Sequence, residues 1–253
     1  MAQPLTLVIG NKNYSSWSLR PWALMTELGI PFVERMLKFD SEDWEAHIDR
    51  LSPTRLVPVL WEGEPGGGFA TFDTSAIVER LNDLHPARGI WPSDGRARAR
   101  ARSLVANFHS GYPALRSAMP MNIRSRHPGK GQSPEVMADI EGLTRLWRDT
   151  RAEYGAHSPY LFGNFSAADA YFLPVASRFA TYEPPLPAEA QDYCRALLDT
   201  MAMRRWSTAA RLETEFVAMD EPYADPPGVE GKTGQAVRQA PPPAITSTWS
   251  RGA

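Results

Sequence analysis

The stretch LTLVIGNKNYSSWSLRPW, residues 5–22, decides the fold of the chain. Its first five residues form an apolar run that ends at Gly10, a pattern typical of a buried strand. A polar loop follows, and a helix is predicted over residues 18–28 because apolar residues recur there at intervals of three. Pro21 fits the first turn of that helix, where backbone N–H groups have no intrahelical partner. The stretch therefore predicts a strand that leads through a loop into an amphipathic helix.

The segments that follow add further strands. A second strand is predicted around residues 32–39, parallel to the first because a helix connects the two. The apolar runs at 57–61 and 69–72 flank a loop rich in glycine, which predicts an antiparallel hairpin. A helix over residues 73–85 closes the unit. This element order predicts an α/β thioredoxin-like domain with a mixed four-stranded sheet, spanning residues 1–86.

The rest of the chain has no convincing alternating runs. After a linker at 87–95, helical stretches are predicted over residues 98–116, 134–154, 166–179, 188–198 and 204–216. We therefore expect an all-α C-terminal domain over residues 96–218. Residues 219–253 are rich in proline and lack apolar periodicity, so we predict an extended or disordered tail.

Composition excludes several classes of function. A net charge of −2 gives no overall attraction to nucleic acid or to an anionic membrane. No apolar run approaches the roughly 20 residues that span a bilayer, and the N-terminus lacks a secretion pattern. The single cysteine, Cys194, excludes an internal disulfide and is predicted to be buried, and the five histidines lack metal-ligand spacing. We expect a cytoplasmic protein that uses no metal and binds neither nucleic acid nor membrane.

Four motifs occur in a defined order along the chain: SSWSLRPW at 15–22, SPTRLVPVL at 52–60, FDTSAIVERL at 72–81 and GNFSAADAYF at 163–172. Together they resemble the glutathione transferase family over residues 4–216. The first motif is most similar to the serine-type zeta and tau classes, in which a serine stands five residues before an arginine, here Ser15 and Arg20. The resemblance implies the glutathione transferase architecture, glutathione as co-substrate and a homodimer.

The resemblance implies that Ser15 is the catalytic residue and that Ser16 supports it. A thiolate is the reactive form of glutathione, and a serine hydroxyl can lower the pKa of a thiol by donating a hydrogen bond to the sulfur. The partial positive charge at a helix N-terminus acts in the same direction. Two alternatives remain open: Ser16 or Ser18 merely caps the helix, or Tyr14 is the donor.

The Val57–Pro58 pair is the second element of the implied glutathione site. In the family this proline is cis, and Val57 would pair with the cysteinyl backbone of glutathione as an added strand does. The family commonly has lysine or glutamine just before the pair, but Leu56 stands there. Arg55 and Lys38 are therefore the candidates for holding the glycyl carboxylate.

Two predicted helix starts combine an acidic residue with a hydroxyl residue. The resemblance implies that Asp73 binds the ammonium of glutathione, while Thr74 and the helix N-terminus bind the γ-glutamyl carboxylate. A simple N-cap by Asp73 or Thr74 is equally open. Ser166 and Asp169 form a variant of the capping box, which we interpret as structural.

A pocket for the second substrate is expected between the two domains. Trp17 stands where the zeta-like pattern has cysteine, so it would form an apolar wall and excludes a mixed-disulfide mechanism. The other candidate pocket residues are His109, Tyr112, Met119, Met121 and Asn122. His109 is also interpreted as a packed core histidine.

These features predict an enzyme that activates glutathione as a thiolate and adds it to a small apolar electrophile. Two alternatives remain. One is glutathione-dependent isomerisation or peroxide reduction at the same site. The other is a non-catalytic glutathione-binding or protein-interaction module.

Overall fold

A computed structural model describes residues 3–224. Its four strands are β1 (Leu5–Ile9), β2 (Val33–Met36), β3 (Val59–Glu62) and β4 (Phe69–Phe72). The helices in this range are α1 (Ser16–Glu27), α2 (Glu42–Leu51), α3 (Thr74–Leu84), α4 (Gly95–Ser110), α5 (Pro113–Ala118), α6 (Pro134–Tyr154), α7 (Ala167–Tyr182), α8 (Ala188–Leu198) and α9 (Met201–Leu212). Short 3₁₀ turns lie at Pro86–Arg88 and Ala218–Asp220.

The strands form one mixed sheet in the order β2-β1-β3-β4. Strand β1 runs parallel to β2 and antiparallel to β3, and β3 runs antiparallel to β4. All five residues of β1 are buried, which explains why its sequence is apolar rather than alternating. The predicted fold class is confirmed: a thioredoxin-like unit with a mixed four-stranded sheet, followed by a helical region.

The two faces of the sheet have separate apolar cores. Val8 points to one face, where it packs with Ile48 and Leu51 of α2. Leu7 and Ile9 point to the other face, because side chains alternate along a strand, and they join a larger cluster. That cluster continues into the helical region. Helix α2 was not predicted from the sequence, although Ile48 and Leu51 of this helix complete the apolar cluster on the Val8 face of the sheet.

Helix α7 is the centre of the helical region. Every residue from Ala167 to Phe179 is buried, and α7 packs against α1, α4 and α8. Because α1 belongs to the sheet unit, this contact joins the two parts through continuous apolar packing. Cys194 in α8 is completely buried, as predicted, and burial raises the pKa of its thiol.

Several predicted helix bounds were wrong in detail. The predicted helix over 98–116 is two helices, because Tyr112 adopts a left-handed conformation (φ 59°) and Pro113 starts α5. Helix α9 ends at Leu212, so residues 213–216 are not helical. Within residues 219–224 of the predicted tail, Glu221 accepts from the Tyr14 hydroxyl and the Tyr223 hydroxyl donates to the Ala118 carbonyl, so this part is held on the protein. The remainder of the predicted tail, 225–253, lies outside the described residues.

Candidate functional site

The loop over residues 11–14 leads into α1 and is fixed from two sides. Within the loop, the Asn11 carbonyl accepts hydrogen bonds from the N–H groups of Tyr14 (3.2 Å) and Ser15 (2.8 Å). From the far end of the chain, the Glu213 carboxylate accepts from the N–H groups of Lys12 (2.6 Å) and Asn13 (3.0 Å). The loop that presents the candidate serines is therefore held by residues that directly follow α9.

Tyr14, the alternative thiolate donor, is engaged elsewhere. Its hydroxyl donates to Glu221 Oε1 (2.7 Å) and accepts from Arg124 Nη2 (2.8 Å). Burial and the Glu221 carboxylate both raise the pKa of Tyr14. Since its proton is directed to a buried carboxylate, this arrangement disfavours Tyr14 as the donor.

The start of α1 contains three serines with different roles. Ser15 itself is the N-cap, so the cap is neither Ser16 nor Ser18: its Oγ accepts from the Ser18 N–H (3.4 Å). The Ser15 hydroxyl also donates to Ser18 Oγ (2.7 Å), which in turn accepts from the Gly10 N–H (3.1 Å). Within residues 3–224, the Ser16 hydroxyl makes no hydrogen bond. Ser15 and Ser16 are only 7% and 9% exposed.

The Val57–Pro58 peptide bond is cis, as predicted. Val57 is half-buried and lies two residues before β3 begins. Neither its N–H nor its C=O is hydrogen-bonded to another residue of the described chain. Backbone polar groups rarely stay unpaired away from water. The free N–H and C=O of Val57 are therefore suited to pair with an extended peptide.

At the start of α3, the N-cap is Asp73, as one interpretation of the sequence had it. Asp73 Oδ1 accepts from both the N–H (2.8 Å) and the hydroxyl (2.6 Å) of Ser75. Its backbone has φ 73°, a conformation that side-chain-bearing residues rarely adopt and that often marks a functional site. Thr74 is buried and donates to the Trp17 carbonyl (3.3 Å), so its hydroxyl joins α3 to α1 instead of facing outward.

The two candidate cations for the glycyl carboxylate are already paired. Arg55 forms ion pairs with Asp49 and with Glu45 (3.2 Å), both in α2. Lys38 pairs with Glu215 after α9. A glycyl carboxylate would have to compete with these acids, so the structure leaves both assignments as predictions.

Two of the candidate pocket residues, Trp17 and His109, are in contact. Their ring centres lie 4.9 Å apart, and both side chains are partly exposed. His109 Nε2 lies 3.3 Å from Asp73 Oδ2, and His109 Nδ1 lies 3.4 Å from the Tyr171 hydroxyl. Helices α1, α3, α4 and α7 therefore converge at one place.

The other candidate pocket residues divide into two groups. Tyr112 is half-buried, stacks on Phe108 at 5.5 Å and donates to Asn107 Oδ1. Met119, Met121 and Asn122 are at most 1% exposed. They can therefore support a pocket from beneath but present no surface to a ligand in this structure, because they are part of the packed interior.

Two arginines without a predicted role lie beside Trp17. The Cζ atoms of Arg20 and Arg116 lie 4.0 Å and 4.9 Å from the Trp17 ring centre. Arg20 is 1% exposed, and burial lowers its pKa to about 9. The five-residue spacing from Ser15 to Arg20 was visible in the sequence, whereas Arg116 gave no signal because it follows the unpredicted break after α4.

Known proteins relate to this chain as follows. Residues 14–84 match the family model described as glutathione S-transferase, N-terminal domain. No curated protein matches the chain. Residues 14–84 therefore carry the sequence pattern of that domain.

Similar solved structures extend the likeness to most of the chain. A glutathione transferase homologue from Burkholderia GL BGR1, with bound glutathione, is 22% identical, with a TM-score of 0.62, over 83% of this chain and 99% of its own. Glutathione transferase Omega 1C from Trametes versicolor is 17% identical (TM-score 0.59; 82% and 95% covered). Ure2p in complex with glutathione is 15% identical (TM-score 0.60; 82% and 95% covered). At these identities the likeness shows the fold, which is that of glutathione transferases.

Two features are absent from residues 3–224. No helix in this range is both long enough and apolar enough to cross a membrane. No group of three or more His, Cys, Asp or Glu side chains in the same range could hold a metal ion.

Proposed function

We propose that this chain is a serine-type glutathione transferase that holds glutathione as a thiolate at the start of α1. The observation that carries the proposal is the Ser15 cap of α1, which lies within the segment that matches the glutathione S-transferase N-terminal domain. The unpaired backbone of Val57 and the α3 terminus at Asp73 supply groups for the peptide part of glutathione.

Ser15 can turn its proton toward a ligand without losing its place as the cap. The hydroxyl protons of Ser15 and Ser18 can rotate, so their mutual hydrogen bond can reverse direction. Ser18 then donates to Ser15 Oγ and keeps accepting from the Gly10 N–H. In that state Ser15 accepts from Ser18 and donates outward to sulfur. Ser16 is the nearest additional hydroxyl for the same anion.

The reaction with an aromatic chloride follows from this arrangement. The sulfur of glutathione forms a bond to the ring carbon that carries chlorine, and the carbon–chlorine bond breaks with release of chloride. The thiol proton goes to solvent. The protein contributes hydrogen bonds and a helix N-terminus that stabilise the thiolate, together with the surface beside Trp17 where the ring lies.

Substitution of the serines tests the mechanism. With 1-chloro-2,4-dinitrobenzene and glutathione, we expect Ser15→Ala to lower kcat/KM about a hundredfold, because one preorganised donor to the anion is lost. Ser16→Ala should have a smaller effect. Retention on immobilised glutathione should persist in both variants, since the Val57 and Asp73 contacts remain.

A spectroscopic measurement addresses the same claim directly. Ultraviolet absorbance of bound glutathione reports the thiolate, so its titration midpoint should lie below that of the free tripeptide in the wild type and rise in Ser15→Ala. An unchanged midpoint in the wild type would contradict the proposed mechanism.

A second candidate function is a non-catalytic glutathione-binding module. It is favoured by one observation: the Ser15 hydroxyl is satisfied within the protein by Ser18. Glutathione binding without turnover of any electrophile or peroxide would support it. Turnover of a peroxide or of an isomerisation substrate, but not of an aromatic chloride, would instead identify a different reaction at this site.

Two further features of the proposal concern the assembly and the compartment. We infer a homodimer, because edge strand β4 exposes two aromatic side chains, Phe69 (62%) and Phe72 (42%), one on each face of the sheet, and a partner could cover this edge. Light scattering measures this directly. A cytoplasmic location stays a prediction from the sequence.

A further inference from the structure

The surface around Trp17 has more positive charge than negative charge. The guanidinium groups of Arg20 and Arg116 both face the indole ring, and the His109 ring lies 4.9 Å from it. Asp73 is the acid in contact with this group, through His109 at 3.3 Å. Among residues 3–224, no carboxylate lies within 4.0 Å of either guanidinium.

Arg20 is the buried member of this group and lacks a counter-ion. Its Nε donates to the Tyr171 carbonyl (3.3 Å), while its Nη1 is buried with no hydrogen-bond partner in the described chain. Besides burial, the charges of Arg178 and Arg116 lower the pKa of Arg20, whereas Tyr171 and the more distant carboxylate of Asp73 raise it. A buried cation with neither a counter-ion nor a full set of acceptors destabilises a fold, so a compensating anion would be favoured here.

Arg116 is the accessible member. It is half-buried, and its Nη1 donates to the carbonyls of His109 (3.2 Å) and Gly111 (3.4 Å) at the end of α4. Its Nε and Nη2 are not buried and have no partner within residues 3–224. These donors are therefore free for a planar anion such as a carboxylate, which guanidinium binds well.

We propose that the second substrate is an aromatic electrophile with a carboxylate, whose ring packs beside Trp17 and whose carboxylate binds Arg116. This inference rests on the proposed function, and it replaces a purely apolar electrophile with an anionic one. The half-buried rings of Trp17 and Tyr112 supply apolar surface for the ring. Arg20 adds positive potential from beneath the same surface, where low polarity strengthens its effect.

Arg116 also has a purely structural interpretation. Arginine near a helix C-terminus commonly donates to the last carbonyls, as Nη1 does here. That role accounts for one of its nitrogens but leaves Nε and Nη2 unpartnered. That role also does not explain why Arg20 lacks a counter-ion. A test must therefore distinguish capping of α4 by Arg116 from binding of an anion by Arg116.

The first test measures binding in glutathione-free protein, independently of catalysis. Calorimetry would compare 3-nitrobenzoate with 3-nitrobenzamide, which share ring and size but differ in charge. We expect the benzoate to bind about tenfold more tightly, because a charge-assisted hydrogen bond is added. Arg116→Gln should abolish the difference between the two compounds. Arg96→Gln, which removes an equal charge at the start of α4, should preserve it.

The second test measures selectivity in turnover with glutathione. The substrates are 4-chloro-3-nitrobenzoate and 4-chloro-3-nitrobenzamide, with each rate divided by its uncatalysed rate. The wild type should favour the benzoate about tenfold in kcat/KM, and Arg116→Gln should lower this ratio to about one. The KM for glutathione should stay unchanged in Arg116→Gln.

The outcomes separate this inference from the proposed function. Benzoate binding with no turnover of either chloride would contradict the transferase proposal but support the anion site. Turnover without preference, or equal binding of the two nitro compounds, would overturn the anion site. A raised KM for glutathione in Arg116→Gln would assign the cations to the carboxylates of glutathione and would also overturn it.

Discussion

Two helix starts in this protein use an acidic residue in different ways. At the start of α7, Asp169 is completely buried, and its carboxylate accepts from the N–H groups of Leu161 and Ser166 and from the hydroxyls of Ser166 and Tyr193. At the start of α3, Asp73 is exposed and accepts mainly from Ser75. The buried acid has no capacity left for a ligand, whereas the exposed acid does.

The comparison teaches that one local pattern can stabilise a fold or serve a site, and that burial distinguishes the two. Burial raises the pKa of Asp169 to about 6, although four donors favour its ionised form. Asp73 instead has a strained backbone and faces His109 across the join between the sheet unit and the helical region. We therefore interpret Asp169 as structural, while Asp73 remains the candidate for binding a ligand.

The largest expected effect is that of Asp169→Ala on stability. Four buried donors would lose their acceptor, so we expect the free energy of unfolding to fall by about 4 kcal/mol. Asp73→Ala is the matched control and should lower it by about 1 kcal/mol, as loss of an exposed cap does. Denaturant unfolding measures both, and equal losses would contradict the distinction between the two helix starts.

At the start of α1, Ser18→Ala tests whether the buried serine supports the donor. Without Ser18 Oγ, Ser15 loses the hydroxyl that would donate to it, so kcat/KM should fall about tenfold. The titration midpoint of bound glutathione should rise, which a purely structural role would not produce. Ser103→Ala, at another helical serine, is the control. An unchanged midpoint would contradict the role of Ser18.

Glu213→Gln tests the support of the loop that precedes α1. The variant keeps the length of the side chain but loses the charged acceptor for Lys12 and Asn13. We expect a fall of about fivefold in kcat/KM and faster hydrogen exchange at these two amides. Glu215→Gln serves as control, since its carboxylate pairs with Lys38 and accepts from the Thr214 N–H. Equal exchange in both variants would disprove this assignment.

The smallest effect is that of Asp73→Asn on glutathione binding. Asparagine retains the cap but removes the negative charge, so the KM for glutathione should rise about threefold while kcat changes little. Asp94→Asn, at the exposed cap of α4, should leave the KM unchanged. No difference between the two variants would exclude Asp73 from the site.

The sequence predicted those parts of the fold whose signals are local. The buried run at β1 and the capping box at Asp169 were predicted correctly because short motifs determine them, and the cis bond at Pro58 was predicted correctly through the family resemblance. Helix α2 was missed, although Ser41 followed by acidic residues in the first turn is a recognisable start. The break at Tyr112 was also missed, although Gly111 before it and Pro113 after it are recognisable signals for the end of one helix and the start of the next.

The site depends more on contacts that no local pattern reveals. The sequence indicated Ser15 as a candidate but did not reveal its hydrogen bonds with Ser18. It also left Tyr14 open as an alternative, because the bond from the Tyr14 hydroxyl to Glu221 is not visible in the sequence. Methionines that looked suited to a pocket are buried instead. The charge around Trp17 arises from residues almost a hundred positions apart, which only the tertiary structure brings together.

The hydrogen bonds between Glu213 and the loop at 11–14 have a consequence for folding during translation. The bonds from Glu213 to Lys12 and Asn13 join residues 201 and 200 positions apart. During translation the sheet unit emerges first, and its loop at 11–14 lacks the Glu213 acceptors until the residues after α9 have left the ribosome. Premature termination anywhere before Glu213 would release a product whose loop lacks this support.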